Sequence, residues 1–167
     1  MIDPLMTNGS KVSATDWPRR HSEILALFEK NMFGKTPEFQ PVPFEVLEKQ
    51  NSAFNGRAVR YQVRAHFSDK KAGPSMDILI YLPAKATQAV PLFLGLNFLG
   101  NHTVDPDINI IIPQGLCKPD SRIGRRGNKA SAKERGSFKR RWPIESIIDR
   151  GYGLATINYY DIEPDTK

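Results

Sequence analysis

Three short segments of the sequence carry side chains that could do chemistry, and the first of them follows an apolar run. Residues 97–103 read Asn-Phe-Leu-Gly-Asn-His-Thr, in which the glycine allows a ligand to approach the backbone closely and the polar side chains offer hydrogen-bond donors. Such donors can stabilise the oxyanion that forms during acyl transfer. The candidate residues of this segment are Phe98, Gly100, Asn101 and His102. The alternative is a polar turn in which Asn101 and His102 cap backbone groups, and this alternative is favoured when the segment is taken by itself.

The other two segments combine aromatic with charged residues. Residues 140–145 contain Trp142, which could lie at the rim of a sugar pocket or could anchor the loop on the core. Residues 159–165 contain Asp161 and Glu163, which could act as acid and base or as ligands of a hard cation. Carboxylates in a turn after a strand also commonly cap the next helix. The structural interpretation is favoured for both segments. Trp142 and Asp161 stay candidates for the rim of a cleft, and we predict neither a metal site nor a cofactor.

Several catalytic signatures are absent from the sequence. There is no G-x-S-x-G motif, no glycine-rich phosphate loop and no H-E-x-x-H motif. Neither Ser137 nor Cys117 follows a predicted strand in the way that a nucleophile at a strand-to-helix elbow does. The single cysteine also excludes an internal disulfide and a cysteine-based zinc site. A self-sufficient hydrolase cannot be assembled from these residues.

The positive charge of the chain is concentrated in one segment. The 167 residues carry a net charge of +6, yet residues 118–141 alone hold ten Lys or Arg residues against two acidic ones. Nucleic-acid binding needs basic residues interleaved with aromatics on an ordered face, and this segment offers only Phe138, with Trp142 just beyond it. Its Gly, Ser and Lys content indicates a mobile surface loop. We therefore disfavour nucleic acid as a partner. Binding of nucleic acid or of an acidic glycan through this segment is kept as the alternative function.

The elements that must position these residues follow from hydrophobic periodicity and turn signals. The length suits a single domain over 1–167. We divide it into an N-terminal helix over 14–33, early strands over 43–96, a loop insertion over 97–141 and a helix–strand unit over 143–159.

Alternation and apolar runs predict the individual strands. Asn55-Gly56 predicts a tight turn before a strand over 58–67. One face of that strand carries the apolar residues Val59, Tyr61, Val63 and Ala65, whereas Arg60 and Gln62 lie away from that face. This pattern predicts a half-buried antiparallel strand. The apolar run over 91–96 predicts a strand covered on both faces, and the strand over 152–159 is also predicted to be buried.

The order of elements is that of an α/β fold. Antiparallel strands that lead into a β-loop-α-β unit, with parallel pairing and a right-handed crossover, are how the sheet of an α/β-hydrolase begins. Ligands of such sheets sit at the carboxyl ends of the parallel strands, where residues 97–102 and 159–161 lie. No apolar run approaches the roughly 20 residues of a membrane-spanning helix. The first eleven residues lack the features of a secretory signal. The sequence therefore predicts no membrane partner.

Longer motifs resemble those of one family over almost the whole chain. The motifs are WPRR at 17–20, MFGKTP at 32–37, GLNF at 95–98, GNHT at 100–103, RWPIE at 141–145, RGYGLAT at 150–156 and YDIEPD at 160–165. In this order they resemble the glucuronoyl esterases, carbohydrate esterases of family 15 that are also known as acetyl xylan esterases.

The resemblance implies an α/β-hydrolase that cleaves 4-O-methyl-glucuronoyl esters between xylan and lignin alcohols. The family uses a Ser-His-acid triad without a metal or other cofactor, and its nucleophile lies in a G-x-S-R-x-G-K elbow that does not occur here. The chain resembles the N-terminal portion of the three-layer α/β-hydrolase sandwich, truncated before the nucleophile elbow. We therefore expect it to be inactive alone, and we assign no nucleophile, base or acid. Family analogy favours a secreted or periplasmic protein.

The missing elbow has a structural consequence. Without the nucleophile strand, the strand over 152–159 is expected to expose an unpaired edge, which favours association with another chain. We expect the isolated chain to be marginally stable or to pair with a partner through that edge.

Overall fold

A computed structural model describes residues 3–7, 9–38, 40–68 and 73–162 of the chain. The chain divides into two compact units, Met1–Pro41 and Val42–Lys167, which are taken separately below. Within the described ranges, no helix is both long and apolar enough to cross a membrane. The residues after 162 in the last candidate segment, which include Glu163, lie outside these ranges.

The N-terminal unit contains a small hairpin and one helix. Strands β1 (Met6–Thr7) and β2 (Ser10–Lys11) pair antiparallel. Helix α1 (Trp17–Phe28) begins where a proline in its first turn is tolerated, and it continues into a wider π-helical turn over Glu29–Phe33. The helix thus lies within the range predicted from the sequence. None of the α1 residues is buried, so its apolar face remains in contact with solvent.

The second unit is built on a mixed five-stranded sheet. Its strands are β3 (Phe44–Ser52), β4 (Ala58–His66), β5 (Ser75–Pro83), β6 (Leu92–Asn97) and β7 (Gly153–Asn158). Their spatial order is β3-β4-β5-β7-β6. β6 and β7 are parallel, whereas the other neighbouring pairs are antiparallel. Antiparallel strands therefore lead into a parallel pair, as the sequence pattern predicts.

A tight turn, α2 (Ala53–Gly56), joins β3 to β4 where Asn55-Gly56 predicts one. Phe54 and Asn55 both have left-handed backbone angles, with φ of 51° and 58°. Such angles are unfavourable for a bulky residue such as phenylalanine. The ring of Phe54 packs against Tyr81 of β5, with the ring centroids 5.3 Å apart. This packing on the buried core stabilises the turn against its backbone strain.

The last two strands occupy different places from those expected. β7 lies between β5 and β6 and all six of its residues are buried, so the prediction of an unpaired edge on this strand was wrong. β6 is the edge strand, with β7 as its neighbour among the described residues. Its apolar side chains are 44–65% exposed, so the prediction of a strand covered on both faces was wrong as well; they are Leu92, Phe93, Leu94 and Leu96. Both predictions were wrong for one reason. The strand that follows the crossover, β7, pairs with β5 on one side and with β6 on the other, which leaves β6 at the edge.

β4 buries polar residues on the face that was expected to be solvated. Arg60 is 1% exposed and Gln62 is also buried. The apolar residues predicted to form the half-buried face remain in partial contact with solvent on the opposite side; they are Val59, Tyr61 and Val63. The alternation of apolar and polar residues in β4 therefore did not show which face is buried more deeply, because that face is the one with Arg60 and Gln62.

A polar network explains this burial. The Arg60 guanidinium donates to the carboxylates of Glu48 and Asp107 at 2.9 and 2.8 Å. The Gln62 amide donates to one backbone carbonyl and accepts from one backbone N–H within residues 109–111, at 3.0 and 2.7 Å. Buried polar groups are tolerated when they have such partners. The irregular chain after β6 thus folds over this face of the sheet.

The crossover from β6 to β7 supplies much of the core. It consists of an irregular segment with several short 3₁₀ turns, followed by helix α3 (Ile144–Asp149). Side chains from the sheet, from α3 and from the irregular segment form one apolar cluster, which includes Ala58, Leu79, Tyr81, Val104, Ile110, Ile144, Ile148 and Leu154. A single helical turn, α4 (Tyr159–Ile162), follows β7.

Candidate functional site

The carboxyl ends of β6 and β7 bring two of the candidate segments together. Asn97 and Asn158 are register partners in the parallel pair. The residues that follow them, Phe98 and Tyr159, contact each other with ring centroids 4.6 Å apart. Phe98 is 55% exposed, so its ring presents an apolar surface at this end of the sheet. The segments that follow the two parallel strands therefore meet at one edge, as their topology predicts.

Hydrogen bonds within the loop over residues 97–103 fix its backbone. The Asn97 side chain accepts from the N–H of Leu99 and donates to the carbonyl of Gly100, both at 3.0 Å. The same carbonyl accepts from the Thr103 hydroxyl at 2.8 Å. Gly100 has φ of 96° and ψ of 149°, a region that is essentially restricted to glycine. The loop therefore takes a defined course at the end of β6.

Asn101 links the loop to two strands. Its Nδ2 donates to the carbonyl of Asp77 on β5, and its Oδ1 accepts from the hydroxyl of Thr156 on β7, both at 2.9 Å. The residue is buried. Its side chain is therefore occupied by hydrogen bonds to β5 and β7, as expected of a residue that caps backbone groups.

His102 is part of this loop, and its side chain is completely buried. Its Nε2 lies 3.2 Å from Oε2 of Glu134, while its Nδ1 has no hydrogen-bond partner among the described residues. Burial lowers the pKa of His102, and this effect outweighs the neighbouring carboxylate. The ring is therefore neutral at pH 7, with Nε2 as the donor to Glu134.

A buried ion pair lies below the same loop, between Arg125 and Glu134, whose side chains are 2% and 4% exposed. Arg125 Nη2 donates to Oε2 of Glu134 at 2.5 Å and to the carbonyl of Leu99 at 2.8 Å. Burial raises the pKa of Glu134, but the hydrogen bonds and charge of Arg125 outweigh it, so the pKa is lowered and the carboxylate stays ionised.

Sequence reasoning missed this ion pair. The expectation of a mobile surface loop over 118–141 was wrong for Arg125 and Glu134, which are buried, and also for Ile123. The available signal was an acidic residue within a strongly basic segment. Its partner could not be read from spacing, because the two residues are nine positions apart in irregular chain.

Trp142 lies between two clefts. The larger, of about 690 Å³, is lined among others by Phe54, Asp105, Asp107, Ile108, Trp142 and Glu145. The smaller, of about 300 Å³, is lined by Leu96, Asn97, Phe98, Leu99, Arg122, Phe138, Arg141 and Trp142. A Cβ on Gly95 would lie only 2.9 Å from the indole ring, so Trp142 packs directly on β6. We take the smaller cleft as the candidate site, since it contains both Trp142 and the end of β6.

Asp161 ties α4 to the sheet. Its Oδ2 accepts from the N–H of Asp77 at 3.0 Å and its Oδ1 accepts from Nδ2 of Asn158 at 2.6 Å. Burial raises the pKa of Asp161. Asp161 and Asn101 both bind the backbone of Asp77, because Asp161 accepts from its N–H and Asn101 donates to its carbonyl. Across the described part of the chain, no group of three or more His, Cys, Asp or Glu residues is arranged to hold a metal ion.

Comparisons with known proteins point to one kind of enzyme. No protein-family model matches the chain. A carbohydrate esterase named MZ0003, from an unknown prokaryotic organism, is 44% identical over 166 residues, which make up 98% of this chain and 38% of that protein. A solved structure described as a promiscuous CE15 esterase from a marine bacterial metagenome matches with a TM-score of 0.87 and 43% identity, over 99% of this chain and 42% of that one.

A glucuronoyl esterase from Solibacter usitatus matches with a TM-score of 0.83 and 38% identity, over 97% of this chain and 41% of that one. The chain thus spans about two fifths of the length of these relatives. The matches confirm the resemblance to glucuronoyl esterases that the sequence motifs indicate, and the mixed sheet with its helices matches the fold of these enzymes.

Proposed function

We propose that this chain is the N-terminal part of a serine carbohydrate esterase that cleaves 4-O-methyl-glucuronoyl esters between xylan and lignin alcohols. The observation that carries the proposal is the loop over residues 97–103. It lies at the carboxyl end of β6, beside β7, in a chain that matches glucuronoyl esterases over nearly its whole length. In α/β-hydrolases this end of the sheet carries the reacting groups.

The chain supplies a scaffold and part of a cleft, and the nucleophile comes from elsewhere in the complete protein. His102 is buried and neutral against Glu134, so it is not a base for an exposed substrate. Ser137 lies in a turn after a 3₁₀ helix, without a strand leading into it. We therefore assign no nucleophile, base or acid to this chain, and we propose that it is inactive alone.

In the complete enzyme, the serine hydroxyl attacks the carbonyl carbon of the uronate ester and gives up its proton to the histidine base. The alcohol then leaves with that proton and an acyl-enzyme remains, which water hydrolyses to release the uronic acid and restore the serine. The loop over 97–103 borders the place where the oxyanion forms. Gly100 allows the backbone angles of this loop, the Asn101 side chain joins it to β5 and β7, and the His102 ring contacts Glu134 in the interior.

Phe98 and Trp142 give the cleft its apolar surface. Both line the smaller cleft together with Arg122 and Arg141. Aromatic rings of this kind suit the faces of sugar or lignin rings. Because the polymeric substrate lies outside the cell, the proposal also places the enzyme outside the cytoplasm, in a secreted or periplasmic form.

The test uses the coding DNA that follows Lys167 and the benzyl ester of glucuronic acid as substrate. We expect that one reading frame continues into a strand and a G-x-S-R-x-G-K elbow. The longer protein should hydrolyse the ester, and the isolated chain should not. The same turnover by the isolated chain, or a longer protein with the elbow but without activity on the ester, would overturn the proposal.

A second candidate function is binding of an acidic glycan without catalysis. It is supported by the smaller cleft, where Arg122 and Arg141 lie beside aromatic rings. Binding of glucuronic-acid oligosaccharides that persists at moderate salt, with no turnover by the longer protein, would favour it. Nucleic-acid binding through the same charges would instead weaken steeply with salt and show no preference for sequence.

A further inference from the structure

We propose that Arg125, Glu134 and His102 are positioning residues that hold the loop over 97–103 in the geometry required for ester hydrolysis. This inference rests on the proposed function, and it goes beyond that function because it gives a role to the basic segment over residues 118–141. Arg125 and Glu134, which are buried, would act from the protein interior without touching substrate.

The basic segment over residues 118–141 contacts the loop at four points. Arg125 donates to the carbonyl of Leu99 at 2.8 Å. Glu134 contacts the ring of His102 at 3.2 Å. The N–H groups of Gly136 and Phe138 donate to the backbone carbonyls of His102 and Thr103 at 3.1 and 2.9 Å. These contacts join the loop at Leu99 and over residues 102–103 to the same basic segment.

The ion pair itself is held in a fixed orientation. Glu134 accepts from Nε and Nη2 of Arg125 at 3.0 and 2.5 Å, and its other oxygen accepts from the Ser131 hydroxyl at 3.1 Å. Paired buried charges often add little net stability compared with apolar residues of similar size. Their directional hydrogen bonds nevertheless determine where the attached backbone lies. Position and stability can therefore be separated by mutation.

The decisive variant is the double substitution Arg125→Met with Glu134→Leu, which removes both charges at once and leaves no buried charge unpaired. The single change Glu134→Gln is compared with it, because it leaves Arg125 without its ionic partner. The matched control is Glu45→Gln. Glu45 also contacts a histidine, His66, through Oε2 and Nε2 at 3.1 Å, but at an exposed site.

Two measurements are made on each variant. In the chain itself, amide hydrogen exchange reports the opening of residues 97–103. We expect the double variant to unfold cooperatively with a melting temperature that is lower by a few degrees, because the buried Nε2–H of His102 and the carbonyl of Leu99 lose their partners. The amides of residues 97–103 should exchange about tenfold faster or more relative to the amides of β4. In the longer esterase, kcat on the benzyl ester should fall by up to about a hundredfold with KM unchanged, since misplaced groups lower the rate and not the binding. Glu45→Gln should change neither quantity.

Loop exchange that is unchanged in the double variant would overturn the positioning role. An active longer esterase whose kcat does not respond to the double variant would overturn it too. If the longer esterase hydrolyses no glucuronoyl ester, the proposed function fails together with the link to hydrolysis. The exchange result then shows separately whether the ion pair orders the loop.

Discussion

Replacing Gly100 with alanine should destabilise the chain more than the same change at Gly124 or Gly127 in the same irregular segment. A Cβ at this position would lie 2.9 Å from Nδ1 of His102 and 3.2 Å from Cγ of Pro113. The His102 ring is restrained by its burial and by its contact with Glu134, and the Pro113 ring is fixed to its own backbone. The backbone angles, φ of 96° and ψ of 149°, add a strain of about 1–3 kcal/mol for a residue with a side chain. Crowding of this kind adds about another 1–3 kcal/mol.

Two neighbouring glycines separate these contributions. Gly124 has φ of 72° but open space around its Cβ position, so Gly124→Ala should lower the free energy of unfolding by about 1–2 kcal/mol through backbone strain alone. Gly127 has neither the positive φ nor a close neighbour, and Gly127→Ala should stay within about 0.5 kcal/mol of the parent. Urea titration of the three variants measures the order. A loss for Gly100→Ala that is no larger than that for Gly124→Ala would refute the role of the loop packing.

Three further predictions concern the buried charges, the histidine and the sheet edge. Arg60→Met should lower the free energy of unfolding by about 3 kcal/mol, because two carboxylates lose a buried partner. Arg64→Met, at an arginine that is 36% exposed, should cost about 1 kcal/mol, and equal losses in urea titrations would contradict this. Because burial lowers the pKa of His102 below 6.5, stability should be fully present above that pH and should fall below it as the unfolded chain takes up a proton. The slope is at most about 1.4 kcal/mol per pH unit, and a variant His102→Gln that kept the whole slope would argue against it. Leu94 on β6 is 65% exposed, and Leu94→Lys should reduce self-association in sedimentation velocity; a parent chain that stays monomeric at all concentrations would contradict association through this edge.

Local signals predicted the elements well, because those signals depend on few residues. The Asn55-Gly56 pair predicted the turn that α2 forms. The buried face of β4 and the edge strand of the sheet were predicted wrongly, because both depend on residues that are far apart in the sequence. Arg60 and Gln62 are buried because the segment after β6 folds over them, and no spacing within β4 records that contact.

The candidate site was only partly accessible to sequence reasoning for the same reason. The parallel pairing of β6 with β7 brings Phe98 and Tyr159 together, and topology alone predicted this meeting. The support beneath the loop depends on Arg125 and Glu134, which come from irregular chain without periodicity. Their burial follows from mutual neutralisation, a property of the pair that neither residue reveals separately.

We propose that this chain holds the loop and part of the cleft of a serine esterase and that the nucleophile lies elsewhere in the complete protein. Labelling with a fluorophosphonate, followed by mass spectrometry, tests it most directly because the reagent attaches to activated serines. We predict a single labelled serine in the elbow of the longer protein and none in the isolated chain, with Ser137→Ala having no effect. A labelled serine on the isolated chain would contradict the claim.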